Sequence, residues 1–200
     1  MPQLRPAAHL PPANSRQRIG LFGGSFDPPH AGHMHVADTG LKRLNLDEVW
    51  WFPTPGNPLK TPPGEYDARL AAVQILTARN TSMKVSDIEA RAHIHYSIDL
   101  VRMLKAHCPR AKLVWLMGAD SLANFHLWKD WRTMAQLIPI AVIARPGSTL
   151  TARTSHFAKV FERARYPRHA ARTFANQKAP AWTYIAAPLR HESSTALREA

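Results

Sequence analysis

A chain of 200 residues with 45% apolar side chains is long enough for one full core and short for two independent domains, and its single cysteine, Cys108, excludes a disulfide framework. Lys and Arg outnumber Asp and Glu 26 to 14, a formal net charge of +12 that favours anionic partners without naming them. No apolar run approaches membrane-spanning length and the first eighteen residues hold no signal-peptide segment, so a cytoplasmic setting is expected and a membrane is not.

Residues 1–17 mix prolines with polar and basic residues without periodicity and read as a flexible leader, with residues 18–200 as one domain. Short apolar runs at Arg18–Phe22, Glu48–Phe52, Met83–Ser86, Lys112–Met117, Ile138–Ile143 and Tyr184–Ala187 predict strands. Amphipathic stretches predict helices over Ala31–Leu44, Tyr66–Ala78 and Ser97–Ala106, with shorter pieces around Leu127–Ala135 and Ser155–Arg163. Proline and glycine mark loops at 53–64 and 145–155. This alternation predicts an α/β fold, an open and mainly parallel sheet flanked by helices, which binds ligands at the carboxyl ends of its strands.

The first strand runs directly into Gly23-Gly24-Ser25-Phe26-Asp27-Pro28-Pro29-His30-Ala31-Gly32-His33. Small residues let a ligand approach the backbone, and the first N–H groups of the next helix attract anions. His30 and His33 are three apart and share one side of the first turn if the helix begins near Pro29. A plain strand-to-helix connection, with histidines capping the helix, remains open. A zinc site fits less well, because His35 points elsewhere on a helix and no cysteine or carboxylate completes a set. Neither G-x-G-x-x-G nor a P-loop occurs. Arg153, Lys159, Arg163, Arg165, Arg168 and Arg172 form a basic stretch opposed only by Glu162, but no compact nucleic-acid motif accompanies it, so a nucleic-acid partner is not expected.

Gly23 to His33 resembles the GxFDPxHxGH signature of the HxGH nucleotidyltransferase superfamily, and Ser193-Ser194-Thr195-Ala196-Leu197-Arg198 resembles its second signature, ISSTxIR. Asn57-Pro58-Leu59-Lys60, His95-Tyr96-Ser97-Ile98-Asp99-Leu100, Leu116 to Trp128 and Arg145-Pro146-Gly147 are similar to segments of its bacterial nicotinate-nucleotide adenylyltransferases. The resemblance implies a Rossmann-like sheet and transfer of the adenylyl group of ATP to nicotinate mononucleotide, giving deamido-NAD and pyrophosphate. It implies catalytic roles for His30, His33 and Arg198, and ATP contacts from Gly23, Gly24, Ser25, Phe26, Gly32, Gly118, Asp120, Ser193, Ser194 and Thr195. Nicotinate mononucleotide would meet Lys60, Ser97 and Trp128. Mg²⁺ would be bound mainly through the ATP phosphates, with no metal held by protein ligands alone, and a homo-oligomer is left open. Asp27 is expected to brace the loop and Trp131 to pack.

The alternatives are an HxGH adenylyltransferase that accepts nicotinamide mononucleotide or phosphopantetheine, and a non-catalytic nucleotide- or nucleic-acid-binding module. Two departures stand out. Glu192 occupies a position where the signature usually has Ile and is expected to face away from phosphate, and the chain ends two residues after Arg198, so the final helix is expected to be short. The chemistry needs no protein nucleophile, because a nucleotide monophosphate, with a second pKa of about 6, brings its own ionised oxygen.

Overall fold

The computed structural model describes residues 10–56, 63–144 and 154–186. Six apolar runs form strands: β1 (Arg18–Gly24), β2 (Glu48–Pro53), β3 (Met83–Val85), β4 (Lys112–Gly118), β5 (Ile140–Ile143) and β6 (Trp182–Ile185). They make one sheet in the order β3-β2-β1-β4-β5-β6 with every pairing parallel. From β1 the chain builds outward to β3, then returns to the other side of β1 for β4. That reversal leaves a crevice at the carboxyl ends of β1 and β4.

Both faces of the sheet are buried, and the strands alternate between them. Trp50, Phe52, Leu113, Trp115, Met117, Ile140 and Val142 belong to one core, while Val49, Trp51, Val114, Leu116, Ala141 and Ile143 belong to the other. The first core is covered by α4 (Ser97–His107) through Ile98, Val101 and Leu104, by α6 (Trp131–Leu137) through Trp131 and Met134, and by α7 (His156–Val160) through Phe157. The second is covered by α1 (Ala31–Arg43) through Val36 and Ala37, and by α2 (Tyr66–Thr77) through Val73. α1 lies unusually close to the sheet. A Cβ added at Gly20 would come within 2.7 Å of Leu116 Cδ1 and one at Gly40 within 2.8 Å of the same atom, so Leu116 fills the space that two absent side chains leave.

Some boundaries differ from the sequence expectation for physical reasons. β1 continues through two glycines because Gly23 and Gly24 pair with Phe52 and Pro53. β5 begins at Ile140, since the amide of Ile138 still closes α6 on the Met134 carbonyl at 3.1 Å. β6 lies two residues earlier than expected. The helix expected around Leu127–Ala135 is broken: a 3₁₀ turn (Phe125–Leu127) ends at an extended Trp128, and Asp130 enters α6 at a φ of 51°. Ser155 caps α7 by accepting from the Ala158 amide, and a separate 3₁₀ turn (Glu162–Ala164) follows. Two short helices, α3 (Ile88–Arg91) and α5 (Ala119–Ala123), and a 3₁₀ segment (Arg168–Asn176) are too short or irregular to show a period. Ahead of β1, Leu10 joins the first core, and the Arg16 amide donates to the Arg110 carbonyl at 2.9 Å. No helix among the described residues is long and apolar enough to cross a membrane.

Candidate active site

A cavity of about 520 Å³ opens where β1, β2 and β4 end. Gly23, Gly24 and Ser25 form its floor after β1, Thr54 and Gly56 bound it after β2, and Glu89 reaches it from α3. Tyr96 and Ser97 enter from the head of α4, and Asp120, Asn124 and Trp128 from the segment after β4.

His30 and His33 stand beside this floor at the head of α1, their ring centroids 4.0 Å apart, but neither lines the cavity itself. His30 is the N-cap: its Nδ1 accepts the Gly32 amide at 3.0 Å, and His33 Nδ1 accepts the His30 amide at 3.2 Å. The capping and anion-binding readings of these residues are therefore compatible. With both Nδ1 atoms committed as acceptors, the neutral rings carry their protons on Nε2, so each imidazole is a donor there, on a buried atom in the case of His30. The His33 ring is braced edge-on by Phe26 at 5.0 Å, and Phe26 is 1% exposed and held at a φ of 48°. A bulky side chain in that left-handed conformation is strained, and its burial against Phe22 and Trp51 holds it there.

A residue the sequence did not single out ties the loops together. Arg69, on α2 and 4% exposed, donates from Nη1 to the Ser25 carbonyl at 2.5 Å and the Thr54 carbonyl at 3.0 Å, from Nη2 to the Pro55 carbonyl at 3.3 Å, and from Nε to the Gly64 carbonyl at 2.9 Å. One rigid guanidinium thus joins the loop after β1 to the loop after β2. Asp27 Oδ2 accepts the Gly64 amide at 3.1 Å, the bracing role expected of it.

The opposite wall carries an indole. Trp128 packs edge-on to Phe125 at 5.2 Å and to Trp115 at 6.2 Å while lining the cavity, so it is part core and part site. Its neighbour Lys129 places Nζ 4.2 Å from the Tyr96 ring centroid, which brings the segment after β4 onto the head of α4. Trp131 packs against Phe125, Phe157 and Phe161 in the core. Near the floor, burial pushes the Tyr66 phenol up to about 12, with the Asp87 and Glu89 carboxylates adding to it.

Of the expected site residues, the structure gathers Gly23, Gly24, Ser25, Asp120, Ser97 and Trp128 at one cavity. Phe26, Gly32 and the two histidines lie next to it in the same loop and helix head, and the buried Gly118 is the N-cap of α5. Lys60, Ser193, Ser194, Thr195 and Arg198 lie outside the described residues, as does the Arg145-Pro146-Gly147 segment. Among the described residues no group of three or more His, Cys, Asp or Glu side chains could hold a metal ion. The exposed Asp120 at the cavity suits an ion held chiefly by a ligand's own phosphates, which it would meet from outside.

The sequence model of the cytidylyltransferase-like family matches residues 21–200. A probable nicotinate-nucleotide adenylyltransferase of Caulobacter sp. (strain K31) is 50% identical over 185 residues, covering 90% of this chain and 96% of the relative. A protein of the same description from Mesorhizobium japonicum is 46% identical over 192 residues, covering 95% and 98%. Among solved structures, the Plasmodium falciparum nicotinic acid mononucleotide adenylyltransferase complexed with NaAD superimposes with a TM-score of 0.69 at 18% identity, over 92% of this chain and 83% of that one. At that identity the likeness concerns the fold.

Proposed function

The chain belongs to the cytidylyltransferase-like family and, within it, to the nicotinate-nucleotide adenylyltransferases, and from that premise we propose that it transfers the adenylyl group of ATP to nicotinate mononucleotide, releasing pyrophosphate. The observation that carries this reading is the pair of Nε2–H donors left on His30 and His33 by their Nδ1 bonds, beside a small-residue floor at the head of α1. A phosphate lying there meets two imidazole N–H groups and the helix N-terminus together.

The reaction forms a bond from the acceptor's phosphate oxygen to the α-phosphorus of ATP and breaks the bond from that phosphorus to the pyrophosphate oxygen. The protein contributes position and charge. His30 and His33 donate to phosphate oxygens whose charge grows in the transition state. Gly23, Gly24, Ser25, Phe26 and Gly32 shape the cradle, and Gly118 and Asp120 bound the nucleotide on the β4 side. Arg198 with Ser193, Ser194 and Thr195 are assigned to the phosphates by their motif, and Lys60 to the acceptor's phosphate by its own. Trp128 offers a face to the pyridine ring, and groups around Ser97 bond its carboxylate. Mg²⁺, when bound, neutralises phosphate charge, and Asp120 is the described residue placed to meet it. A cytoplasmic enzyme of nucleotide metabolism fits the absence of a membrane-crossing helix among the described residues.

The test is one assay. Purified protein with ATP and Mg²⁺ is offered nicotinate mononucleotide, nicotinamide mononucleotide and phosphopantetheine in parallel, and pyrophosphate and dinucleotide are measured. Turnover with the first is expected, with the amide disfavoured by about 5-fold to 10⁴-fold, because one or two buried donors left unpaired cost roughly 1–3 kcal/mol each. His33→Ala is expected to lower kcat/KM by about 10²-fold or more. Equal use of acid and amide would remove the specificity, and a near-normal His33→Ala would remove the phosphate role.

A further inference from the structure

Lys129 sits in the break between the 3₁₀ turn and α6, directly after Trp128 and directly before Asp130. Asp130 and Asp99, an acid in the first turn of α4, are both held by Arg102: Nη1 meets Asp99 Oδ1 at 3.2 Å, and Nη2 meets Asp130 Oδ2 at 3.8 Å. No ion pair found among the described residues reaches Lys129. Its ammonium lies instead over the Tyr96 ring, 4.2 Å from the centroid. Both side chains line the cavity, and of the described residues that do so Lys129 alone carries a fixed positive charge, against the carboxyl groups of Glu89 and Asp120. We propose that Lys129 is a specificity-determining residue for the acceptor: its ammonium, seated on the Tyr96 ring, turns onto the ring carboxylate of nicotinate mononucleotide and sets that acid apart from its amide. The inference deepens the adenylyl-transfer reading and rests on it for the identity of the acceptor.

The chain order places the ammonium between the two groups assigned to the acceptor. Trp128, which offers a face to the pyridine ring, precedes Lys129, and Tyr96, which seats the ammonium, precedes Ser97 at the head of α4. A cation over an aromatic ring at an exposed site is held weakly, and four rotatable carbons let it leave without moving the backbone. A carboxylate offers the ammonium a charge-assisted hydrogen bond, which is the stronger contact, whereas a carboxamide offers a neutral carbonyl. Tyr96 and Leu127, 36% and 55% exposed, are the large apolar side chains beside Lys129 on the cavity, and an acceptor that covers them keeps water from the new ion pair. The gain falls on the acid alone. The amide mononucleotide shares the ring, the ribose and the phosphate, so every other contact treats the two alike.

The experiment measures kcat and KM for the acid and the amide mononucleotides at saturating Mg-ATP, beside calorimetric binding of each, in the full-length protein and in variants at these two positions. Lys129→Met keeps the stem and removes the charge. It is expected to raise KM for the acid about 10-fold while the amide shifts by less than about 2-fold, since the exposed pair is partly screened. The kcat for the acid should hold, because the ring carboxylate is remote from the reacting phosphate and contributes equally to ground and transition states. Lys129→Arg and Tyr96→Phe, which keep the charge and the ring, should retain the preference for the acid, and Tyr96→Leu should lose about 3-fold of it. An unchanged KM for the acid in Lys129→Met overturns the proposal and leaves a solvated lysine. An equal rise for acid and amide overturns it too, since the ammonium then meets the phosphate they share, and an unchanged preference in Tyr96→Leu overturns the seat. Absence of turnover with both mononucleotides removes the adenylyl-transfer reading, and the calorimetric preference then judges Lys129 alone; absence of binding as well removes both.

Discussion

Arg69 shows how much a single side chain can organise without touching a ligand. Its carbonyl partners lie 44, 15, 14 and 5 residues away in sequence, yet all fall within reach of one planar fork. Burial pulls its pKa down, with Asp27 as an opposing influence, and the charge is retained because those four oxygens replace water. A lysine offers a point charge on a flexible stem and cannot address all four. Arg69→Lys is therefore expected to destabilise the fold by roughly 2–4 kcal/mol, since each buried carbonyl left without a donor costs about 1–3 kcal/mol. Urea denaturation measures that loss, and KM should rise for both substrates because the loops after β1 and β2 share this anchor. None of this is visible in the sequence, where Arg69 is one basic residue in the first turn of an amphipathic helix. The capping of α1 by His30 and His33 was legible because their partners are local: each Nδ1 bonds an amide two or three positions away.

Among the elements, α1 matters most, because its depth on the sheet sets the height of the histidine pair above the floor. Leu116 occupies the gap left by Gly20 on β1 and Gly40 on α1, and a Cβ at Gly20 would also lie 2.8 Å from Leu46 Cδ1. Gly20→Ala is expected to cost about 1–3 kcal/mol by overpacking. Leu116→Ala placed in the same chain should recover part of that loss, a coupling that chemical denaturation of the two single variants and the double variant resolves. The strands themselves were readable, since a parallel sheet buried on both faces leaves nearly continuous apolar runs. Their ends were not, because the hydrogen-bond ladder decides them: it carries β1 through Gly23 and Gly24 and excludes Ile138 from β5. The break at Trp128 and Asp130 was hidden for a similar reason, as the surrounding residues keep a helical pattern while the backbone leaves it to bring Trp128 to the cavity.

At the scale of the molecule, the alternation of elements had implied a crevice at the carboxyl ends of the strands before any motif was weighed, and the strand order gives that crevice a β2–β3 side and a β4 side. The second signature, from Ser193 to Arg198, lies outside the described residues, so its half of the reading rests on sequence resemblance alone. The six tryptophans of the chain are placed unevenly. Trp50 and Trp51 are 0% exposed, Trp115 1%, Trp182 2% and Trp131 8%, whereas Trp128 is half-buried and faces the cavity. The protein therefore carries its own optical reporter. The five shielded indoles are expected to emit toward the blue, and longer-wavelength, acrylamide-quenchable emission is expected from Trp128. Adding nicotinate mononucleotide should dim or shield that component alone, and Trp128→Phe should erase the response. Occupancy of the site can then be followed in a fluorimeter with no label, because the one half-buried indole is the one at the cavity.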